Sequence, residues 1–130
     1  MSGLTATAES DTITDVVFSG TGTAYLALHT ADPGNSPDGS TEVTDGNYNR
    51  VEISEADWTE SGDEPTTLTN DVEYTFAAFA NDVGDITHGS ITAGSGGTDF
   101  RVTGAVSPIK NFTAGDSAKY EAGAITFEIQ

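Results

Sequence analysis

Leu26-Ala27-Leu28-His29-Thr30-Ala31-Asp32-Pro33-Gly34 reads as a strand that runs into a turn. Over 24–30, Leu26 and Leu28 fall on one side and Tyr25, Ala27 and His29 on the other, the two-residue period of a pleated strand. Asp32 can accept from a backbone N–H two residues on, Pro33 fixes its own φ, and Gly34 turns freely, so the strand stops there. The same period returns at the far end. Ile125, Phe127 and Ile129 alternate with Thr126, Glu128 and Gln130, which puts one face in a core and the other in water.

Working outward, residues 48–53 predict a second strand after an Asp45-Gly46-Asn47 turn. Val72, Tyr74 and Phe76 alternate with Glu73, Thr75 and Ala77 and predict a third. Residues 86–91 and 100–106 predict two more around a Gly94-Ser95-Gly96-Gly97 turn, and Pro108 marks a bend or an edge. The polar, acidic residues 59–71 predict a connection or an edge. Residues 32–40 form a loop. Residues 1–11 read as a polar arm. Asp11 can cap a short helix in which Ile13, Val16 and Val17 share a face, ended by Gly20 and Gly22, with a strand as the alternative. Short strands between turn signals, without long helices, predict an all-β antiparallel sandwich, jelly-roll-like, with a short N-terminal helix or arm. It is expected as a single domain over 12–130.

Composition narrows the function. No cysteine is present among the 130 residues, so disulfides and thiolate metal sites are out. No apolar run approaches the roughly 20 residues of a membrane span, and the first residues carry no basic, apolar leader pattern, so neither membrane insertion nor secretion is expected. The formal net charge is −17, with 21 acids against Arg50, Arg101, Lys110 and Lys119. So few scattered cations cannot form a phosphate-contacting stripe, which excludes a nucleic-acid duplex as partner. The acids spread evenly, the pattern of proteins from salt-loving organisms. At molar salt the Debye length falls to about 3 Å and self-repulsion is screened. The same charges then predict loss of β-sheet circular dichroism on dialysis to near-zero salt.

Candidate sites are few. Asp32, Asn35 and Asp38 share one loop and carry oxygen ligands that suit calcium, but without EF-hand spacing. A turn and loosely held cations explain them better, so no specific metal or cofactor is assigned. His29 and His88, on different strands, could meet as a metal pair or each hydrogen-bond a backbone group at a strand end. Trp58, Tyr25, Tyr48, Tyr74 and Tyr120 could line a sugar-stacking face or fill the core. No Gly-x-Ser-x-Gly elbow, phosphate loop or His-Glu-x-x-His helix occurs, and no catalytic residue is assigned.

The ordered set Leu26-Ala27-Leu28-His29-Thr30-Ala31-Asp32-Pro33-Gly34, Asp45-Gly46-Asn47-Tyr48-Asn49-Arg50, Trp58, Gly84-Asp85-Ile86-Thr87-His88, Gly96-Gly97 and Ala114-Gly115-Asp116 through Ala122-Gly123-Ala124-Ile125-Thr126 resembles a family of small β-rich virion proteins of tailed viruses. Members are described as tail-fibre-like or capsid-decoration-like. The likeness spans residues 12–130 and departs at Val83, where tryptophan is frequent. It implies a non-enzymatic protein on the particle exterior, as capsid decoration or turret, with a tail fibre or a carbohydrate-binding receptor component as the alternative. A single compact domain without a coiled-coil shaft favours the head. The implied partners are other virion proteins, further copies of the chain, and a host envelope protein or glycan, with assembly in the host cytoplasm. Combined with the charge, the likeness implies a virus of a halophilic, haloarchaeal host. Arg50 lies within a motif of the family and is expected in a structural ion pair. Arg101 and Lys110 are expected in such pairs or at an interface. Pro33, Asn35, Asp38, Glu60 and Asp63 are expected in loops that meet the capsid or the host.

Overall fold

Nine strands, one short α-helix, a π-helical turn and a 3-10 turn at Glu55–Asp57 are the regular elements of the described residues. The structure, a computed structural model, describes residues 5–34, 39–62 and 66–129. The strands are β1 (Thr23–His29), β2 (Val51–Ser54), β3 (Trp58–Ser61), β4 (Thr66–Asn70), β5 (Tyr74–Thr75), β6 (Gly84–Thr92), β7 (Phe100–Phe112), β8 (Lys119–Tyr120) and β9 (Thr126–Ile129). A four-stranded sheet runs β2-β1-β6-β7, a three-stranded sheet β3-β4-β9, and β5 pairs with β8. Every pairing is antiparallel. The fold is an all-β sandwich with a short N-terminal helix.

One apolar cluster lies between the sheets. Leu26, Leu28, Ile53, Ile86 and Ile91 enter it from the first sheet, Leu68 and Phe127 from the second. The final strand keeps its alternation, with Ile125 and Phe127 buried and Thr126 and Glu128 exposed. β1 departs from a two-faced strand, because Ala27 and His29 are buried along with Leu26 and Leu28. β1 lies between β2 and β6, and residues 41–43 cover its end: Thr30 N–H donates to the Thr41 carbonyl and Val43 N–H to that of Leu28.

Strand β7 joins the two sheets. His88 pairs with Ala105 but Ile86 pairs with Lys110, so five steps along β7 oppose two along β6. The surplus residues bulge around Pro108, where a ladder donor is missing anyway. There β7 turns to the second sheet: Val106 bridges to Ile125, and Ser107 N–H donates to the Ala124 carbonyl. At Gly104 the sheets approach so closely that a β-carbon would stand 2.8 Å from the Thr126 carbonyl oxygen and 2.9 Å from the Phe127 ring. Only glycine fits that contact.

Three expectations need correction. The helix, α1 (Ala6–Thr12), starts inside the stretch read as an arm rather than at Asp11. It runs on as a π-helical turn over Ile13–Val17, in which Phe18 N–H donates to the Ile13 carbonyl five residues back. The wider turn aligns Ile13 with Val17 and rotates Val16 off the apolar face, leaving it 46% exposed. Residues 59–71 form a hairpin rather than a bare connection, with β3 and β4 in register from Trp58↔Asn70 to Ser61↔Thr67. The β-branched Thr66, Thr67 and Thr69 supply that strand. The third strand shrinks to Tyr74–Thr75. The alternation of burial still continues through Phe76, whose N–H donates to the Ala118 carbonyl.

Candidate functional site

The densest polar cluster surrounds Arg50. β2 follows directly on Arg50, and residues 41–43 lie along the end of β1, so Arg50 and Glu42 come together beside the β6–β7 turn. Arg50 Nε donates to Glu42 Oε2 at 2.8 Å and Nη2 to Oε1 at 2.7 Å, a forked pair. The same guanidinium donates to the carbonyls of Gly94 (3.1 Å) and Gly97 (2.7 Å) and leans towards Thr92 Oγ1 (3.5 Å). Phe100 lies under it at 5.3 Å. Tyr48 donates its hydroxyl to Glu42 Oε2 at 2.7 Å and accepts from Leu28 N–H at 3.0 Å. The Arg50 and Glu42 side chains are 5% and 14% exposed.

The electrostatics follow from that packing. Burial alone would raise the Glu42 carboxyl, but the bonds from Arg50 and Tyr48 outweigh it and hold the group below its ordinary value. The bond to Glu42 raises Arg50 further. Burial first, then Glu42, pushes the Tyr48 hydroxyl upward. An open cleft of about 440 Å³ lies against this cluster, lined by Gly39, Asn49, Ser95, Gly96 and Thr98 among others. The guanidinium has its donors engaged by Glu42 and the turn carbonyls. It therefore fastens the 94–97 turn to the sheet and offers nothing to an incoming anion.

His29 and His88 stand directly opposite each other in the β1–β6 register. They do not form a metal pair with a carboxylate. His29 is fully buried, with Nδ1 2.9 Å from Thr41 Oγ1 and Nε2 2.8 Å from Ser90 Oγ, and the Phe100 ring meets it edge-on at 5.6 Å. His88 Nδ1 lies 2.8 Å from Thr87 Oγ1. Both histidines thus bond side-chain hydroxyls rather than the backbone groups expected. Among the described residues, no group of three His, Asp or Glu is placed to hold a metal ion.

Burial lowers the His29 pKa; Glu42 opposes that shift, while Arg50 and His88 add to it. The unfolded chain therefore binds a proton on His29 more readily than the folded one. Stability from this group is complete above the ordinary histidine value and is lost as pH falls towards the lower folded value. Denaturation midpoints measured from pH 8 to pH 5 should decline, and His29→Gln should flatten that decline. An equal slope in the variant would remove His29 as its cause.

The other candidates are spread over the surface. Arg101 grips Asp99 through Nε (2.7 Å) and Nη2 (2.9 Å) and donates to the Val16 carbonyl. Lys110 stands 5.9 Å over the Phe112 ring. Lys119 reaches Glu73 at 3.5 Å with both side chains exposed. Asp32 Oδ1 accepts from Gly34 N–H at 2.9 Å, the bond that shapes the turn. Pro33 is half-buried and Glu60 exposed, while Asn35, Asp38 and Asp63 lie outside the described residues. Sequence reasoning missed Glu42 and, having placed Asp45 in a turn, missed its reach to residues 80–81. Asp45 accepts from Asn47, Ala80 and Asn81 N–H groups and so holds residues 80–81 to its own turn. The acid before Gly46-Asn47 was the available signal.

Three of the five candidate aromatic residues fill the core. Trp58 stacks on Tyr74 at 5.9 Å and meets Phe127 at 5.8 Å, and Phe76 meets Tyr120 edge-on at 6.5 Å. Trp58, Tyr74 and Tyr120 are buried, whereas Tyr25 and Tyr48 are partly exposed. The described residues present no exposed row of rings for stacking on a sugar. No helix among them is long and apolar enough to cross a membrane.

A family model described as podophage GP4 fiber I protein gp80 matches residues 2–128. No curated protein matches the chain.

Proposed function

This chain belongs to the podophage GP4 fiber I protein gp80 family, and from that membership we propose that it is a non-enzymatic building block on the exterior of a tailed-virus particle, placed first in a fibre. The family match over residues 2–128 carries this reading. The site geometry agrees with a scaffold role. Arg50 and Glu42 are occupied with each other and with a turn, and the large rings pack into the core. Such a protein acts through a rigid surface and its neighbours, which are other virion proteins and further copies of itself. The loops holding Pro33 and Glu60 are its candidate contacts with the particle or the host.

Capsid decoration or turret is the second placement. The lack of a shaft-like helix among the described residues supports it. Immunogold electron microscopy of purified particles separates the two. Gold at the tail or on its fibres supports the fibre, and gold on the head supports decoration. No gold on intact particles would end the virion reading and reopen binding of free glycans. A high-salt host is a further part of the proposal, resting on the charge of −17. Sheet dichroism that survived dialysis to near-zero salt would remove it.

A further inference from the structure

Strand β7 differs in charge from the rest of the molecule. Phe100–Phe112 holds Arg101 and Lys110 and no carboxylate, in a chain of net charge −17. It is an edge strand of the four-stranded sheet. Its second half presents Ile109 at 60% exposure beside an exposed Lys110. Val16, at 46%, is the other large exposed hydrophobic residue among those described. Its own helical segment carries Asp11 and Asp15, both exposed, and no cation; the one guanidinium that reaches it, Arg101, is paired with Asp99.

These two patches are held at opposite ends of the same strand. Arg101, near the start of β7, donates to the Val16 carbonyl. Ile109 lies eight residues further on, up to roughly 25 Å at the usual rise of a strand. Within one copy, Ile109 and Val16 remain 60% and 46% exposed, so neither is covered by the other. Two copies of so acidic a chain repel each other over most of their surfaces, so they can approach only where the local signs are opposite. We propose that Ile109 and Lys110 of one copy dock on Val16 and Asp15 of a second copy. The contact buries the two exposed aliphatic side chains together and pairs the lysine with the carboxylate. It is a contact between different surfaces, which permits closed rings or head-to-tail growth.

This inference goes beyond the virion placement and is decided in purified protein, whatever particles show. Light scattering at about 0.15 M salt, where charges more than about 8 Å apart are screened, measures the mass of the wild type, Lys110→Glu, Asp15→Lys and the combined variant. The expected result is a wild-type mass above one 13.4 kDa chain, one-chain mass for each single reversal, and recovery in the combined variant. An equimolar mixture of the two single variants should also re-associate, since the altered charge of each then meets its opposite on the other. Circular dichroism checks that each variant is folded, and Ile109→Ser gives a second route to the one-chain state. A wild type of one-chain mass at every concentration overturns the proposal. So do single reversals that leave the mass unchanged, or a combined variant that stays dissociated.

Discussion

Arg50→Ala is expected to cost about 3–5 kcal/mol of folding stability, the scale for removing one partner of a buried ion pair. Several losses combine. Glu42 keeps its charge in a site where its side chain is only 14% exposed. The carbonyls of Gly94 and Gly97 lose their donor. Phe100 loses the cation above its ring. A domain of this size holds only about 5–15 kcal/mol in all, so the variant should lie near its unfolding threshold at room temperature. Urea denaturation measures the loss, and amide exchange at 93–98 should accelerate beyond the global effect because the turn is released. Replacing both partners, as in Arg50→Met with Glu42→Leu, should recover a large part, since no charge is then stranded. A loss below about 1 kcal/mol, the scale of a surface pair, would show that water already screens this one. The sign with pH is fixed: the folded Glu42 pKa is depressed, so its contribution is complete above the ordinary carboxyl value and disappears as pH falls through the folded one.

The second large effect is expected at Phe127. It is fully buried, stands 5.8 Å from Trp58, and packs where Gly104 brings the sheets together. Phe127→Ala should cost about 3–5 kcal/mol through lost transfer energy and the cavity left behind. Gly104 and Trp58 belong to different strands on either side of that cavity, so collapse around it requires the sheets to shift. Trp58 reports the change directly. Its emission should move to longer wavelength while the variant is still folded, because the ring loses an apolar neighbour and gains access to water. Phe127→Leu should cost less and leave the emission closer to wild type. Unchanged emission in folded Phe127→Ala would mean the sheets close over the gap.

The sequence carried those features that depend on local period and punctuation. The closing strand was legible because burial from Ile125 to Glu128 follows the two-residue rule; the burial of Ile129 and Gln130 lies outside what is described. The Asp32-Pro33-Gly34 turn was legible because its defining bond lies within three residues. The hairpin at 58–70 was hidden by its own acids and by Gly62 and Pro65, which punctuate like a loop. The π-helical turn was hidden because its period differs from that of an ordinary helix. Of the cluster around Arg50, the arginine stood out by scarcity. Its partner did not, because Glu42 is one of 21 acids and nothing local distinguishes it. The bond between them depends on how 41–43 lie along β1, which is a property of the tertiary fold. Val16 and Ile109 were invisible as a pair for the same reason.

The passage of β7 from one sheet to the other has a mechanical consequence. A load that tries to slide the sheets past each other meets a continuous covalent backbone at 104–107 before it meets side-chain packing. The bulge around Pro108 stores surplus contour length in that segment. Those residues are not slack, because Val106 and Ser107 are tied to Ile125 and Ala124 and must let go before the bulge can straighten. The crossing therefore couples the two sheets under shear, in a chain that belongs to a fibre-protein family.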